Sequence, residues 1–281
     1  MKKTCLLILM TLMVTLGMAQ NKSPFPTRKQ ISVLLKSKTY VVLDNPTSGF
    51  SVALKKAVQE DWKLTPYEFI SDQDFQKLRY DSNSSFLVFT KTKFEKDEEG
   101  VYYNFINLLL GDTTKDITLM PEFASVPVSY VFTSDGDYLY KFPVIIRFIQ
   151  DHVKLIDLSP NNSRMKFLRY YNKNIKQIKS KTLLLTQGDI AKGIDPASIA
   201  TLYKHPVKIV SHKEIEQAIN QKSPDMLFLH KVGPSDEDVK TGRSYVLIFG
   251  TDDSKLYYFN YHDISAKEPD GFTKDDFERI R

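Results

Sequence analysis

The chain has 281 residues, of which 39 are Lys or Arg and 34 are Asp or Glu, giving a formal net charge of +5. This small excess argues against a nucleic-acid partner, since nucleic-acid-binding domains carry a strong and clustered basic charge. The single cysteine, Cys5, lies near the N-terminus, so the rest of the chain contains no disulfide, thiolate metal ligand or thiol nucleophile.

Residues 1–19 have the pattern of a secretory signal. Lys2 and Lys3 precede an apolar run, and Gly17 and Ala19 place small residues at the −3 and −1 positions of a cleavage site. The apolar run is shorter than the roughly 20 residues that a membrane anchor needs. We therefore expect a soluble chain of 262 residues, starting at Gln20 with a net charge of +3, in the periplasm or outside the cell. Because Cys5 precedes the cleavage site, a lipoprotein is not expected.

The rest of the chain contains a weak internal repeat. Residues 36–39 (KSKT) open one apolar run, and residues 179–182 (KSKT) open another. Residues 66–91 also align without a gap to residues 206–231, with few identities but a closely similar apolar pattern. Self-similarity at this scale indicates a duplicated structural unit. The alternative is chance similarity between two stretches of α/β structure.

Each copy is predicted to form strand, helix, strand, helix and strand. The first helix of the first copy is expected to bury Val52, Ala53, Ala57 and Trp62. Short apolar runs between turn signals place the strands at 40–43, 67–70 and 86–89 in the first copy and at 183–185, 207–210 and 226–229 in the second.

A serine follows the second strand of each copy. Ser71 is followed by Asp74 and Ser211 by Glu214, a spacing typical of a capping box, in which the serine oxygen accepts a bond from the first turn of the helix. These serines and acids are therefore predicted to be helix caps rather than catalytic groups.

Antiparallel strands are predicted to complete each copy, at 102–110 and 245–249. Residues 134–137 (SDGD) and 251–254 (TDDS) each join two alternating runs and are predicted to be hairpin turns. Calcium binding is the alternative for these acidic turns, but it requires a longer oxygen-rich loop.

Two helices are predicted between the copies. The first follows Pro143, and residues 159–163 (SPNNS) form a boundary after it. The second helix has an apolar face containing Tyr171 and Ile178. Its opposite face is basic and consists of Lys166, Arg169, Lys173 and Lys176. This face is either a solvated surface or a contact surface for an anionic partner.

These elements predict an α/β (or α+β) protein of two tandem, duplicated modules with added antiparallel strands. The predicted divisions are the signal, 1–19, a first module with its antiparallel extension, 20–158, and a second module with a C-terminal tail, 159–281. Near the end of that tail, Thr273 is expected to cap a last helix that docks through Phe277 and Ile280.

The sequence contains no HExxH, GxSxG, P-loop, GxGxxG or paired-cysteine motif. One group of residues remains as a candidate catalytic or metal site. Asp189, His212 and His230 follow or end successive strands of the second copy. Ligands of open α/β sheets bind outside the carboxyl ends of strands. Two imidazoles and a carboxylate could hold a metal ion or perform acid–base chemistry there. The alternative is that they are ordinary loop residues.

The signal ending, the Lys-, Asn- and Tyr-rich composition and the KSKT pattern resemble exported proteins of unknown function from Bacteroidetes-type bacteria. Residues 39–91 are also similar to small periplasmic α/β modules such as the amino-terminal domain of TolB. The first resemblance implies export, and the second implies an adaptor or assembly role. Neither carries over a catalytic residue.

The leading functional hypothesis is an exported, non-catalytic binding or interaction protein whose partner is an unknown protein or an anionic envelope component. The first alternative is a metal-assisted hydrolase that uses the second-module histidines. The second is an envelope assembly or scaffold subunit. Whether the protein is an enzyme stays open, although the missing motifs favour a non-catalytic role. No cofactor, nucleic-acid partner or membrane span is predicted.

Overall fold

The alternating strand and helix signals before residue 131 fold into a five-stranded mixed sheet. The computed structural model describes residues 26–94, 97, 100–158, 170–235 and 241–281. A 3-10 helix, Ile117–Leu119, precedes the last strand of this first module. In chain order the other elements are α1 (Arg28–Leu34), β1 (Lys38–Val42), α2 (Gly49–Asp61), β2 (Tyr67–Ile70), α3 (Asp72–Leu78), β3 (Ser84–Thr92), β4 (Tyr103–Leu110) and β5 (Glu122–Tyr130).

Helical elements follow the first sheet. They are α4 (Asp135–Tyr138), the 3-10 helix Leu139–Lys141 and α5 (Phe142–Leu158). The second module then contains the 3-10 helices Asn172–Asn174, Gln187–Asp189 and Pro196–Ser198. Its other elements are α6 (Ile175–Ile178), β6 (Thr182–Leu185), α7 (Ile199–Leu202), β7 (Val207–Ile209), α8 (His212–Asn220), β8 (Met226–Val232), β9 (Arg243–Gly250), β10 (Leu256–Asp263) and α9 (Lys274–Ile280).

The two sheets have the same topology. The first has the strand order β2-β1-β3-β4-β5, and the second, read from its opposite edge, has the order β7-β6-β8-β9-β10. In each, the first strand is parallel to the second and third, and the last two strands are antiparallel additions. The prediction of an α/β protein with two similar modules is therefore confirmed. The hairpin at residues 251–254 is confirmed as well, because β9 and β10 pair across it.

The predicted serine caps are also confirmed. Ser71 Oγ accepts a hydrogen bond from Asp74 N at 3.2 Å. Ser211 Oγ accepts one from Glu214 N at 3.3 Å, and the Glu214 carboxylate accepts one from Ser211 N at 2.8 Å. The two modules therefore begin α3 and α8 in the same way.

Substituting the cap Ser211 with alanine is expected to lower the free energy of unfolding by about 1 kcal/mol, because the first-turn amide of α8 loses its acceptor. Ser71→Ala in the equivalent position of the first module should cost a similar amount. Urea unfolding measures both values. A loss below about 0.3 kcal/mol in both variants would contradict the capping interpretation.

Two local predictions are wrong. Residues 134–137 do not form a hairpin turn, since helix α4 and a 3-10 helix follow Ser134 instead. The run YLYKF alternates like a strand, but it also places Tyr138 and Phe142 four residues apart, and their rings pack 5.9 Å apart on one side of the helical segment. In α2, Val52 is 57% exposed, because the buried face contains Leu54 and Val58 instead.

The main hydrophobic core is continuous across both modules. It contains residues of α1, α2, α5 and the first sheet together with residues of α8, β8 and β9. The rings of Phe148 in α5 and Phe249 in β9 lie 5.3 Å apart within it. Smaller cores lie beneath α3, around Phe75, and on the outer face of the second sheet, around Phe277.

Two predicted features lie outside the described residues, the signal at 1–19 and the boundary at 159–163. The division into domains at 158 and 159 therefore stays a prediction. Over the ranges that the structure describes, no helix is both long enough and apolar enough to cross a membrane.

Candidate functional site

Asp189, the first of the predicted metal ligands, has a structural role in its own loop. It is 6% exposed and ends the 3-10 helix that follows β6. Its Oδ2 accepts hydrogen bonds from the backbone N and the Oγ1 of Thr186, both at 2.8 Å. The carboxylate therefore holds the loop after β6 in place.

The two candidate histidines contact the first module. His212 begins α8, and its Nδ1 lies 2.9 Å from a carboxylate oxygen of Asp137 in α4. His230 in β8 is fully buried, and its Nε2 donates a hydrogen bond of 2.9 Å to the carbonyl oxygen of Pro127 in β5. This bond fixes the proton on Nε2, and burial lowers the pKa of His230 to about 3, aided by the charge of Lys141. His230 is therefore neutral at pH 7.

Lys141 is a buried lysine whose charge acts on His230, and it was not identified from the sequence. Its side chain is 3% exposed. Burial lowers the pKa of Lys141, while the nearby carboxylates of Asp189 and Asp137 act in the opposite direction. The sequence signal that could have found it is the four-residue spacing of Tyr138 and Phe142, which marks the segment as helical. His212 and His230 thus bond to the first module, whereas Asp189 bonds within its own loop.

The structure does not bring the predicted ligands Asp189, His212 and His230 together around one point. Throughout the described residues, no three or more His, Cys, Asp or Glu side chains are grouped so that they could hold a metal ion. The metal-assisted hydrolase hypothesis therefore gains no support from the geometry. It remains a prediction from the sequence.

The predicted basic helix is only partly described. Lys173 and Lys176 are exposed, whereas Lys166 and Arg169 lie outside the described residues. In the described part, the helical residues 170 and 171 are followed by a 3-10 helix and the short α6, rather than by one continuous α-helix. The side-chain amide of Asn172 in this segment bonds to both the backbone N and the backbone O of Phe259 in β10. The segment therefore covers part of the outer edge of the second sheet.

A cavity of about 250 Å³ lies between the two modules. Its walls are mainly apolar and come from several separate parts of the chain, including Pro26 and Tyr171. Strand β5 contributes Val126, α5 contributes Phe148 and Ile156, and the second sheet contributes Leu247 and Phe259. An engineered apolar cavity of about 150 Å³ is large enough to bind benzene. The cavity between the modules therefore has room for a somewhat larger apolar group.

Two polar features border this cavity. His152 Nδ1 and the Tyr171 hydroxyl share a hydrogen bond on its wall. Burial lowers the pKa of His152 to about 4 and raises the pKa of Tyr171, so both are uncharged at pH 7. Glu122, at the start of β5, is exposed at the rim, and the partial loss of water around its carboxyl group raises its pKa. The arrangement is suited to binding an apolar molecule.

Sequence reasoning missed the cavity because no local motif encodes it. Residues 122–127, 148–156 and 247–259 meet only after both modules have folded and packed together. The nearest signal was the helix predicted after Pro143, since Phe148 and Ile156 lie in that segment.

Family models, curated proteins and solved structures contain no match to this chain. The two resemblances drawn from the sequence therefore stay predictions. The function has to be argued from the geometry of the cavity and its surroundings.

Proposed function

We propose that this protein is a non-catalytic binding protein whose ligand is a small, mainly apolar molecule held in the cavity between the two modules. The observation that carries this proposal is the cavity itself, about 250 Å³ in volume and lined mainly by apolar side chains of both modules. Such concave, mostly apolar sites with a few polar groups are the usual form of small-molecule sites in proteins.

The polar groups of the cavity favour binding over chemistry. Both members of the His152–Tyr171 pair are neutral and are hydrogen-bonded to each other. A neutral imidazole with its pKa near 4 is a weak base, whereas efficient general bases have a pKa close to the working pH. The ligand therefore gains its affinity mainly from the apolar area that it buries.

The predicted export signal implies that the protein binds its ligand outside the cytoplasm. A protein that leaves the cytoplasm and carries an apolar cavity could capture or carry molecules of low solubility in the periplasm or outside the cell. Binding to an envelope partner, the other role predicted from the sequence, is compatible with this activity.

A neutral probe tests the proposal. Phenylbutanol should bind the mature protein with one-to-one stoichiometry and a Kd on the order of a millimolar or tighter, as expected for a ligand of this size. Ala124→Leu, which adds volume to a buried residue of the cavity wall, should weaken this binding at least about tenfold by occupying space that the probe needs. Titration calorimetry measures both constants.

The matched control is Ala200→Leu, which places the same substitution on the exposed surface of α7. It should leave the affinity for phenylbutanol unchanged. If wild-type protein does not bind the probe, or if both variants bind it equally well, the cavity is not a ligand site and the proposal is wrong.

A further inference from the structure

The electrostatic character of the cavity comes from one residue. Of the described residues that line it, Glu122 is the only Asp, Glu, Lys or Arg, and the single histidine, His152, has a pKa of about 4. The structure gives the Glu122 carboxylate no hydrogen bond or ion pair with another described residue. The described lining therefore has an apolar interior and, at its rim, a carboxylate that no described residue pairs with.

The neutral polar groups at the cavity are already engaged. The Ser125 hydroxyl donates to the side-chain oxygen of Asn107 at 2.6 Å, and His152 is bonded to Tyr171. None of the described lining residues is a lysine or an arginine. Among the described lining residues, a ligand carboxylate or phosphate would meet no cation and would be repelled by Glu122, so this part of the lining disfavours anions.

We infer that the ligand of this cavity is a hydrophobic amine, with its apolar body inside the cavity and its ammonium group paired with Glu122 at the rim. This inference rests on the proposed function, because it assigns the chemical class of the ligand to the same cavity. The aromatic side chains of the lining, including Phe148 and Phe259, add a surface that is favourable to a nearby cation.

The pH dependence of amine binding follows from the carboxylate. The pairing requires ionised Glu122, so the preference for an amine is present above the pKa of Glu122 and is lost as the pH falls through it. Because partial burial raises that pKa, the loss should begin at a higher pH than for a fully hydrated glutamate.

Three probes of nearly equal size separate the charge from the apolar body. Phenylbutylamine should bind the mature protein about fivefold more tightly than phenylbutanol at pH 7, and phenylbutyrate should bind more weakly than either. In Glu122→Gln, the amine and the alcohol should bind with equal affinity. Glu278→Gln, the same change on the exposed side of α9, should keep the fivefold preference.

The outcomes distinguish this inference from the proposed function. Equal binding of amine and alcohol to the wild-type protein, or an amine preference that survives in Glu122→Gln, would overturn the inference and leave the binding function intact. Failure of phenylbutanol to bind the wild-type protein would overturn the proposed function and this inference with it. Retained binding of phenylbutanol by Glu122→Gln shows that this variant is folded.

Discussion

Replacing Phe249 with alanine is expected to lower the free energy of unfolding by about 3–5 kcal/mol and to destabilise both modules together. Phe249 is fully buried in β9, and its ring centroid lies 5.3 Å from that of Phe148 and 6.0 Å from that of Phe228. Phe148 belongs to α5, which also packs against β5 and α2 of the first module. The cavity left by the substitution would therefore weaken the core that the two modules share.

Trp62 makes this effect measurable in the first module. It is the only tryptophan in the sequence, and it is 2% exposed at the end of α2. In Phe249→Ala, urea unfolding followed by Trp62 fluorescence and by circular dichroism should shift to the same lower midpoint. Phe277→Ala removes a ring of the same size from the separate outer core of the second module. If the chain unfolds as one unit, this variant also lowers the Trp62 midpoint.

Independent unfolding of the modules has a different signature. The Trp62 midpoint would then stay at its wild-type value in both variants, while circular dichroism would show an additional step at lower urea. That result would support the predicted division at residue 158 as a division between independently stable domains.

The parts of the fold that could be predicted from the sequence are those with local signals. A capping box specifies a helix start within four residues, so Ser71 and Ser211 were both located correctly. A turn-rich cluster between two alternating runs located the β9–β10 hairpin. The repeat of these signals, rather than sequence identity, was sufficient to predict that the two modules share an architecture.

The errors arose where a local pattern fits two structures. The run at residues 138–142 is so short that its apolar pattern fits both the period of a strand and the period of a helix. Its packing in the folded protein determines that it is helical. As a helical segment, it buries Lys141 near enough to the second module for the charge of Asp189 to act on its pKa. The sequence alone could not show this interaction, because 48 positions separate the two residues in the chain.

The same segment explains the surroundings of the candidate metal ligands. Asp189 and His212 do follow strands of the second sheet, at the carboxyl edge where ligands of α/β sheets often bind. In this protein, Asp137 and Lys141 of the first module approach that edge. Packing between the modules therefore occupies the edge where the sequence predicted a ligand. The cavity lies instead beside β5 and α5.

The buried histidines should make the protein sensitive to acid. Burial holds the pKa of His152 at about 4 and that of His230 at about 3, against an ordinary value of 6.5. Both rings are neutral in the folded protein, whereas in the unfolded chain each binds a proton once the pH falls below about 6.5. The unfolded state then holds more protons, so the contribution to stability is complete above pH 6.5 and is lost progressively down to the folded-state pKa values.

Between pH 7 and pH 4.5, each of these histidines is expected to account for a loss of about 2–3 kcal/mol of unfolding free energy. In His230→Gln, the side-chain amide can still donate to the carbonyl oxygen of Pro127 but does not titrate, so the loss over this pH range should be smaller by about 2–3 kcal/mol. Phe228→Leu, a non-titrating change in the same strand, should lower stability equally at both pH values. Urea unfolding at pH 7 and pH 4.5 measures all three proteins. If His230→Gln and the wild type lose the same stability on acidification, His230 is not a group whose protonation accompanies acid unfolding.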